Sequence, residues 1–139
     1  MRNYLENIFT LKNKTALITG ASRGIGAEIA LAFFKSGANI ICISRSKTTQ
    51  KEEIKAFYQQ CDISNSKQFQ KICESIDEDY GGIDILVNAA GISLPKIHNQ
   101  NEFERFEKTI SINLIATYQC CELVSRYMHH GGSIINITS

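Results

Sequence analysis

Short runs of β-branched and other apolar residues alternate along the chain with longer stretches in which apolar side chains recur every three or four positions. The first run, Lys14 to Gly20 (KTALITG), is apolar enough to be a strand covered on both faces. It leads into a predicted helix over Gly24 to Ser36, where Ile25, Ile29, Ala32 and Phe33 share a face and Gly37 closes the C-terminus. A second strand is predicted at Asn39 to Ser44, a short helix at Gln50 to Lys55, and a third strand at Ala56 to Cys61. Ser64 is placed to cap a helix over Asn65 to Tyr80, which carries Phe69, Ile72, Cys73 and Ile76 at helical spacing and breaks at Gly81-Gly82. Ile83 to Asn88 (IDILVN) reads as the fourth strand, followed by a loop holding Pro95. Glu102 to His129 then reads as one long helix, with Phe103, Phe106, Ile110, Leu114, Cys121, Val124 and Met128 on a 3.6-residue period. Gly131-Gly132 ends it, and Ser133 to Thr138 (SIINIT) is the fifth strand. Strands alternating with helices are βαβ units of an α/β fold, a doubly wound parallel sheet, and right-handed crossovers leave few topologies for it.

Composition narrows the class without changing the fold. With 139 residues, no repeat and no linker-like segment, residues 1–139 read as a single domain. A net charge of +1 supplies no basic face for nucleic acid or an anionic membrane. The longest apolar stretches fall far short of the ~20 residues that span a bilayer. Glu6, Asn3 and Asn7 stand where a signal peptide needs its apolar core, so a cytoplasmic location is expected. Cys42, Cys61, Cys73, Cys120 and Cys121 are odd in number and lack C-x-x-C spacing, which argues for packed thiols over disulfides or zinc. His98 and the adjacent His129 and His130 have no ligand set around them, and no metal site is expected.

The chemistry concentrates in Thr19-Gly20-Ala21-Ser22-Arg23-Gly24-Ile25-Gly26, between the first strand and the first helix. Glycines there let the backbone turn tightly and approach a pyrophosphate, while the free N–H groups and dipole of the helix receive its charge.

The spacing T-G-x-x-x-G-x-G resembles the short-chain dehydrogenase/reductase family, and four further landmarks follow in the same order. Asp62, with Ile63 beside it, ends the third strand, where the resemblance implies contact with adenine. Asn88-Ala89-Ala90-Gly91 resembles the family's N-N-A-G, with Ala89 in place of the second Asn. Asn113 matches the catalytic Asn of the long helix, and Ser139 falls where the family carries its catalytic Ser. The turn is similar to that of 3-oxoacyl-acyl-carrier-protein reductases, and Ile8 to Lys14 to the lead-in of gluconate 5-dehydrogenases. The fold implied is a Rossmann sheet of strand order 3-2-1-4-5, truncated after its fifth strand.

Cofactor choice follows from charge. An NAD enzyme presents a carboxylate to the ribose 2'-OH at the end of the second strand, whereas an NADP enzyme presents cations to the 2'-phosphate. Here that strand ends Ser44-Arg45-Ser46, with Lys47 next and Arg23 in the glycine turn, so NADP(H) is favoured over NAD(H). Together with the glycine turn, Ser44, Arg45, Asp62, Ile63 and Asn88 to Gly91 form the expected cofactor side, and Asn113 and Ser139 the catalytic side.

The reaction the resemblance implies is hydride transfer between a nicotinamide and a small-molecule carbonyl or alcohol, assisted by a Tyr-x-x-x-Lys pair. Tyr4, Tyr58, Tyr80, Tyr118 and Tyr127 are followed at the fourth position by Ile8, Asp62, Asp84, Glu122 and Gly131, so none forms that pair. The expectation is therefore the N-terminal part of a longer enzyme, inactive as these 139 residues stand and homo-oligomeric in full. The alternative is a non-catalytic or degenerate nucleotide-binding module.

Overall fold

The computed structural model describes residues 2–92 and 101–138. After an N-terminal helix α1 (Arg2–Phe9), β1 (Thr15–Thr19) enters the centre of a five-stranded sheet with every residue buried. It pairs in parallel with β2 (Asn39–Ser44) on one side and β4 (Ile85–Asn88) on the other. β3 (Tyr58–Gln60) lies outside β2, and β5 (Ser133–Asn136) outside β4, giving the order β3-β2-β1-β4-β5.

Because side chains alternate across a strand, each strand feeds two cores. Leu17, Ile41, Ile43 and Leu86 pack with Phe69, Ile72 and Ile76 of α3 (Ser66–Tyr80), and with Cys120 and Val124 of α5 (Thr117–Ser125). On the opposite face Ala16, Ile18, Ile40, Cys42 and Val87 pack with Ala30 of α2 (Gly24–Lys35). Both faces of the central strands are thereby dry, which is why their sequence is continuously apolar and not alternating.

The structure moves several boundaries. The third strand starts at Tyr58, because a 3-10 helix over Glu52–Phe57 claims Ala56 and Phe57. Asn65, not Ser64, caps α3: its side chain accepts from the Gln68 N–H at 3.1 Å. Ser64 is held by Asp62, whose Oδ1 accepts from the Ser64 N–H at 2.9 Å and its hydroxyl at 2.7 Å. The fourth strand begins at Ile85, and Asp84 ahead of it ties two strands, its Oδ2 accepting from the Thr15 N–H at 2.8 Å. The predicted single long helix is three pieces: α4 (Glu102–Ile110), a π-helical segment (Ser111–Ala116) and α5, which stops at Ser125. His129 lies beyond the helix and pairs with Asp77 at 2.7 Å. α1 was not expected, and Tyr4, Leu5, Ile8 and Phe9 on it are exposed. Among the described residues no helix is long and apolar enough to cross a membrane.

Candidate cofactor site

The carboxyl ends of the central strands open onto a cavity of about 400 Å³. Its floor is the glycine turn. Gly20 sits directly after β1 with φ +68°, and a Cβ there would lie 2.5 Å from the Ala89 carbonyl oxygen and 2.6 Å from the Ala90 nitrogen. Glycine is needed for both reasons: a left-handed backbone and a close approach of two chain segments. A Cβ on Gly26 would fall on the Gly20 carbonyl, so Gly26 supports the turn from beneath. Above Gly24 there is open space. Arg23 stands at the N-cap of α2 without a side-chain cap hydrogen bond and no acid lies in the first turn, so among the described residues no cap or first-turn carboxylate answers the dipole at the amino end of that helix.

The turn is braced from the segment after β2. Buried Thr49 donates its hydroxyl to the Ala21 carbonyl at 3.0 Å and lies 3.3 Å from the Ser22 carbonyl, which also accepts the Gln50 N–H at 2.7 Å. Lys51 pairs with Glu28 of α2. These contacts commit the turn's acceptor groups to protein donors.

The rim is where charge gathers. Ser44, Arg45 and Ser46 follow β2 along one side, and Ser22, Arg23 and Gly24 border the turn. Among the described residues, neither the Arg23 nor the Arg45 guanidinium has an ion pair or side-chain hydrogen bond, whereas Lys51, Lys55 and Arg126 are all paired. Opposite them stand Cys61, Asp62 and Ile63. Burial, with the Asp62 charge adding to it, pushes the Cys61 thiol up to about 11, so Cys61 stays a protonated, unreactive thiol. The end of the cavity is Ala89, Ala90, Gly91, Ile92 and Ile112.

Three of the expected cofactor-side residues lie elsewhere. Ile25 is exposed, at 61%, and Gly26 is buried under the turn. Asn88 is buried: its Nδ2 donates to Asn136 Oδ1 at 2.9 Å and to Cys121 Sγ at 3.2 Å, and its carbonyl accepts the Ile137 N–H, so it clasps β4 to β5. Asn113, in the π-helical segment, accepts the Ile92 N–H at 2.8 Å and donates to the Ile92 carbonyl at 2.9 Å. Both ends of its amide are thus bonded to the backbone of the loop that ends the cavity. Ser139, and residues 93–100 of the loop after β4, lie outside the described residues. Ser46, Cys61, Ile92 and Ile112 line the cavity but were not read from the sequence. Ser46 had a signal in its neighbour Arg45; Ile112 had none, because the π-helical turn sets its direction.

A parallel sheet of this order, with a glycine turn at the carboxyl end of its first strand, defines a Rossmann-type α/β domain. Residues 14–139 match the family profile described as short chain dehydrogenase, and the chain belongs to that family of oxidoreductases. It is 33% identical over 141 residues to 3alpha-hydroxysteroid dehydrogenase of Mediterraneibacter gnavus, covering 93% of this chain and 56% of that protein. It is 33% identical over 138 residues to a 3-oxoacyl-acyl-carrier-protein reductase of Staphylococcus epidermidis, covering 91% of this chain and 57% of that one. A solved short chain dehydrogenase from Burkholderia cenocepacia, in complex with NADP, superposes with a TM-score of 0.79 at 27% identity, over 91% of this chain and 55% of that chain. The chain spans about half the length of the curated relatives it matches.

Proposed function

We propose that the protein is an NADP(H)-dependent oxidoreductase acting on a small-molecule carbonyl or alcohol. The observation that carries the cofactor assignment is the pair of uncommitted guanidinium groups, Arg23 and Arg45, at a rim with no carboxylate between Ser44 and Ser46. A 2'-phosphate answers both cations, and a bare ribose hydroxyl answers neither. The Gly20 turn and the amino end of α2 would hold the pyrophosphate, Asp62 and Ile63 the adenine side, and Ala89 to Gly91 the adenosine half. When bound, the dinucleotide supplies the hydride-carrying ring. The chain's own residues bind and orient it, and Asn113 fixes the loop at Ile92 that closes this end of the cavity.

No Tyr of the 139 residues has Lys at its fourth following position, and the curated relatives are nearly twice as long. Both points support residues 1–139 as one dinucleotide-binding domain at the N-terminal side of a longer chain, with Ser139 and a later Tyr-x-x-x-Lys handling the substrate oxygen. A homo-oligomer in the cytoplasm fits five unpaired cysteines and the exposed apolar residues of α4. The same lack of Tyr-x-x-x-Lys supports a second reading, a nucleotide-binding module without turnover, and a gene lacking that motif in frame would decide for it.

Arg45→Ala tests the cofactor assignment. Loss of a charge-assisted contact should weaken NADPH binding about tenfold or more and leave NADH within about twofold, measured by titration of nicotinamide fluorescence. Equal affinities for the two cofactors before mutation, or no loss of NADPH affinity after it, would overturn the assignment.

A further inference from the structure

The hydroxyl of Tyr58, the first residue of β3, lies under the loop that carries Arg45, and its contacts close into a ring. The Ser46 N–H, which can only donate, bonds Ser44 Oγ at 3.1 Å. Tyr58 donates its proton to the Ser46 carbonyl at 2.8 Å, a group with no hydrogen to give. That spends the one proton Tyr58 has, so in its 2.5 Å contact with Ser44 the serine is the donor. The circuit runs from the Ser46 N–H to Ser44, from Ser44 to Tyr58, and from Tyr58 back to the Ser46 carbonyl. Burial pushes the Tyr58 hydroxyl upward, so it keeps the proton the ring requires.

Arg45 sits between the two ends of this ring. Its own carbonyl accepts the Gln60 side-chain N–H at 2.7 Å, and the Ser44 carbonyl accepts the Cys61 N–H at 2.7 Å. Backbone on both sides of Arg45 is therefore fixed by the last residue of β3 and the residue after it, while its guanidinium is left uncommitted. Ordering the loop before a ligand arrives removes a cost that binding would otherwise bear.

We propose that Tyr58 is a positioning residue for cofactor selectivity: through Ser44 and Ser46 it holds Arg45 where a 2'-phosphate is received. The Ser44 hydroxyl is then an internal strut and not a phosphate ligand. This rests on the NADP(H) reading above, and the test separates the two.

The measurement is calorimetric titration of the full chain with 2',5'-ADP, which carries the 2'-phosphate, and with 5'-AMP, which does not. Tyr58→Phe keeps the ring and removes only the hydroxyl. It should weaken 2',5'-ADP about fivefold and leave 5'-AMP within about twofold. Ser44→Ala should do the same, and the double variant should be no worse than either, because one circuit is being broken twice. If Arg45→Ala leaves 2',5'-ADP binding unchanged, the phosphate reading itself fails. If Arg45→Ala weakens it but Tyr58→Phe moves both ligands equally or neither, or if the Tyr58 and Ser44 effects add, the positioning role is overturned.

Discussion

β1 and β5 are both short, parallel and rich in β-branched residues, yet every residue of β1 is buried and every residue of β5 is exposed. Ile18 has no accessible surface; Ile134 and Ile135 retain 39% and 41%. β1 has a strand on each edge and a packed core on each face, whereas β5 has β4 on one edge and no described strand on the other. An apolar strand sequence therefore records the cover a strand is built for, and the neighbours present determine how much it receives. The glycine turn belongs to the covered region, and its geometry is correspondingly unforgiving.

That contrast can be broken in order of severity. Gly20→Ala should be the most damaging, since it forces a side chain into a left-handed backbone and against Ala89. A loss of about 4 kcal/mol in urea unfolding is expected, with NADPH binding lost alongside, and a loss under about 1 kcal/mol would mean the turn relaxes freely. Ile18→Ala should cost about 3 kcal/mol, but Ile135→Ala less than about 1 kcal/mol. Similar values for the pair would show that β5 is covered in solution.

A pH-dependent effect concerns thiols confined to the covered region. Burial pushes Cys42, Cys73 and Cys120 up to about 12 and Cys61 to about 11, against 9.0 for a free thiol. The unfolded chain releases those protons first, around pH 9, so their stabilisation is intact only well below that pH, starts to fall on the approach to it, and is lost as pH rises through the folded values. Unfolding free energy should fall by roughly 1 to 2 kcal/mol from pH 7 to 9 and more steeply above. A flat profile would mean that the thiols already ionise in the fold.

What could be read from sequence was whatever local chemistry dictates. The parallel α/β class followed from alternation, the strand order from the family resemblance, and the glycine turn from its place between a strand and a helix. What escaped depends on contacts distant in sequence. Asn65 outcompetes Ser64 as a cap because Asp62 occupies the serine. Thr49 braces the turn from 27 and 28 residues away, and Tyr58 reaches back to Ser44 and Ser46, none of which a periodic pattern encodes. α1 escaped although Tyr4, Leu5, Ile8 and Phe9 recur at helical spacing, because at eight residues it is shorter than the run a periodic pattern needs to stand out. Neither Asn113's pairing with Ile92 nor the π-helical turn around it has a signature in spacing.

That turn has a consequence for how the chain tolerates change in length. A π-helical turn holds one more residue than an α-helical turn, as if an insertion had been absorbed without breaking the helix. Since each residue advances a helix by ~100°, the extra one resets the phase of all that follows. Ala116, Cys120 and Val124, four apart, face the core in the second phase, while α4 in the first phase buries no residue. The helix is two angular frames spliced at Asn113, and the splice lets one continuous rod serve a packed interior and the loop at Ile92 at once.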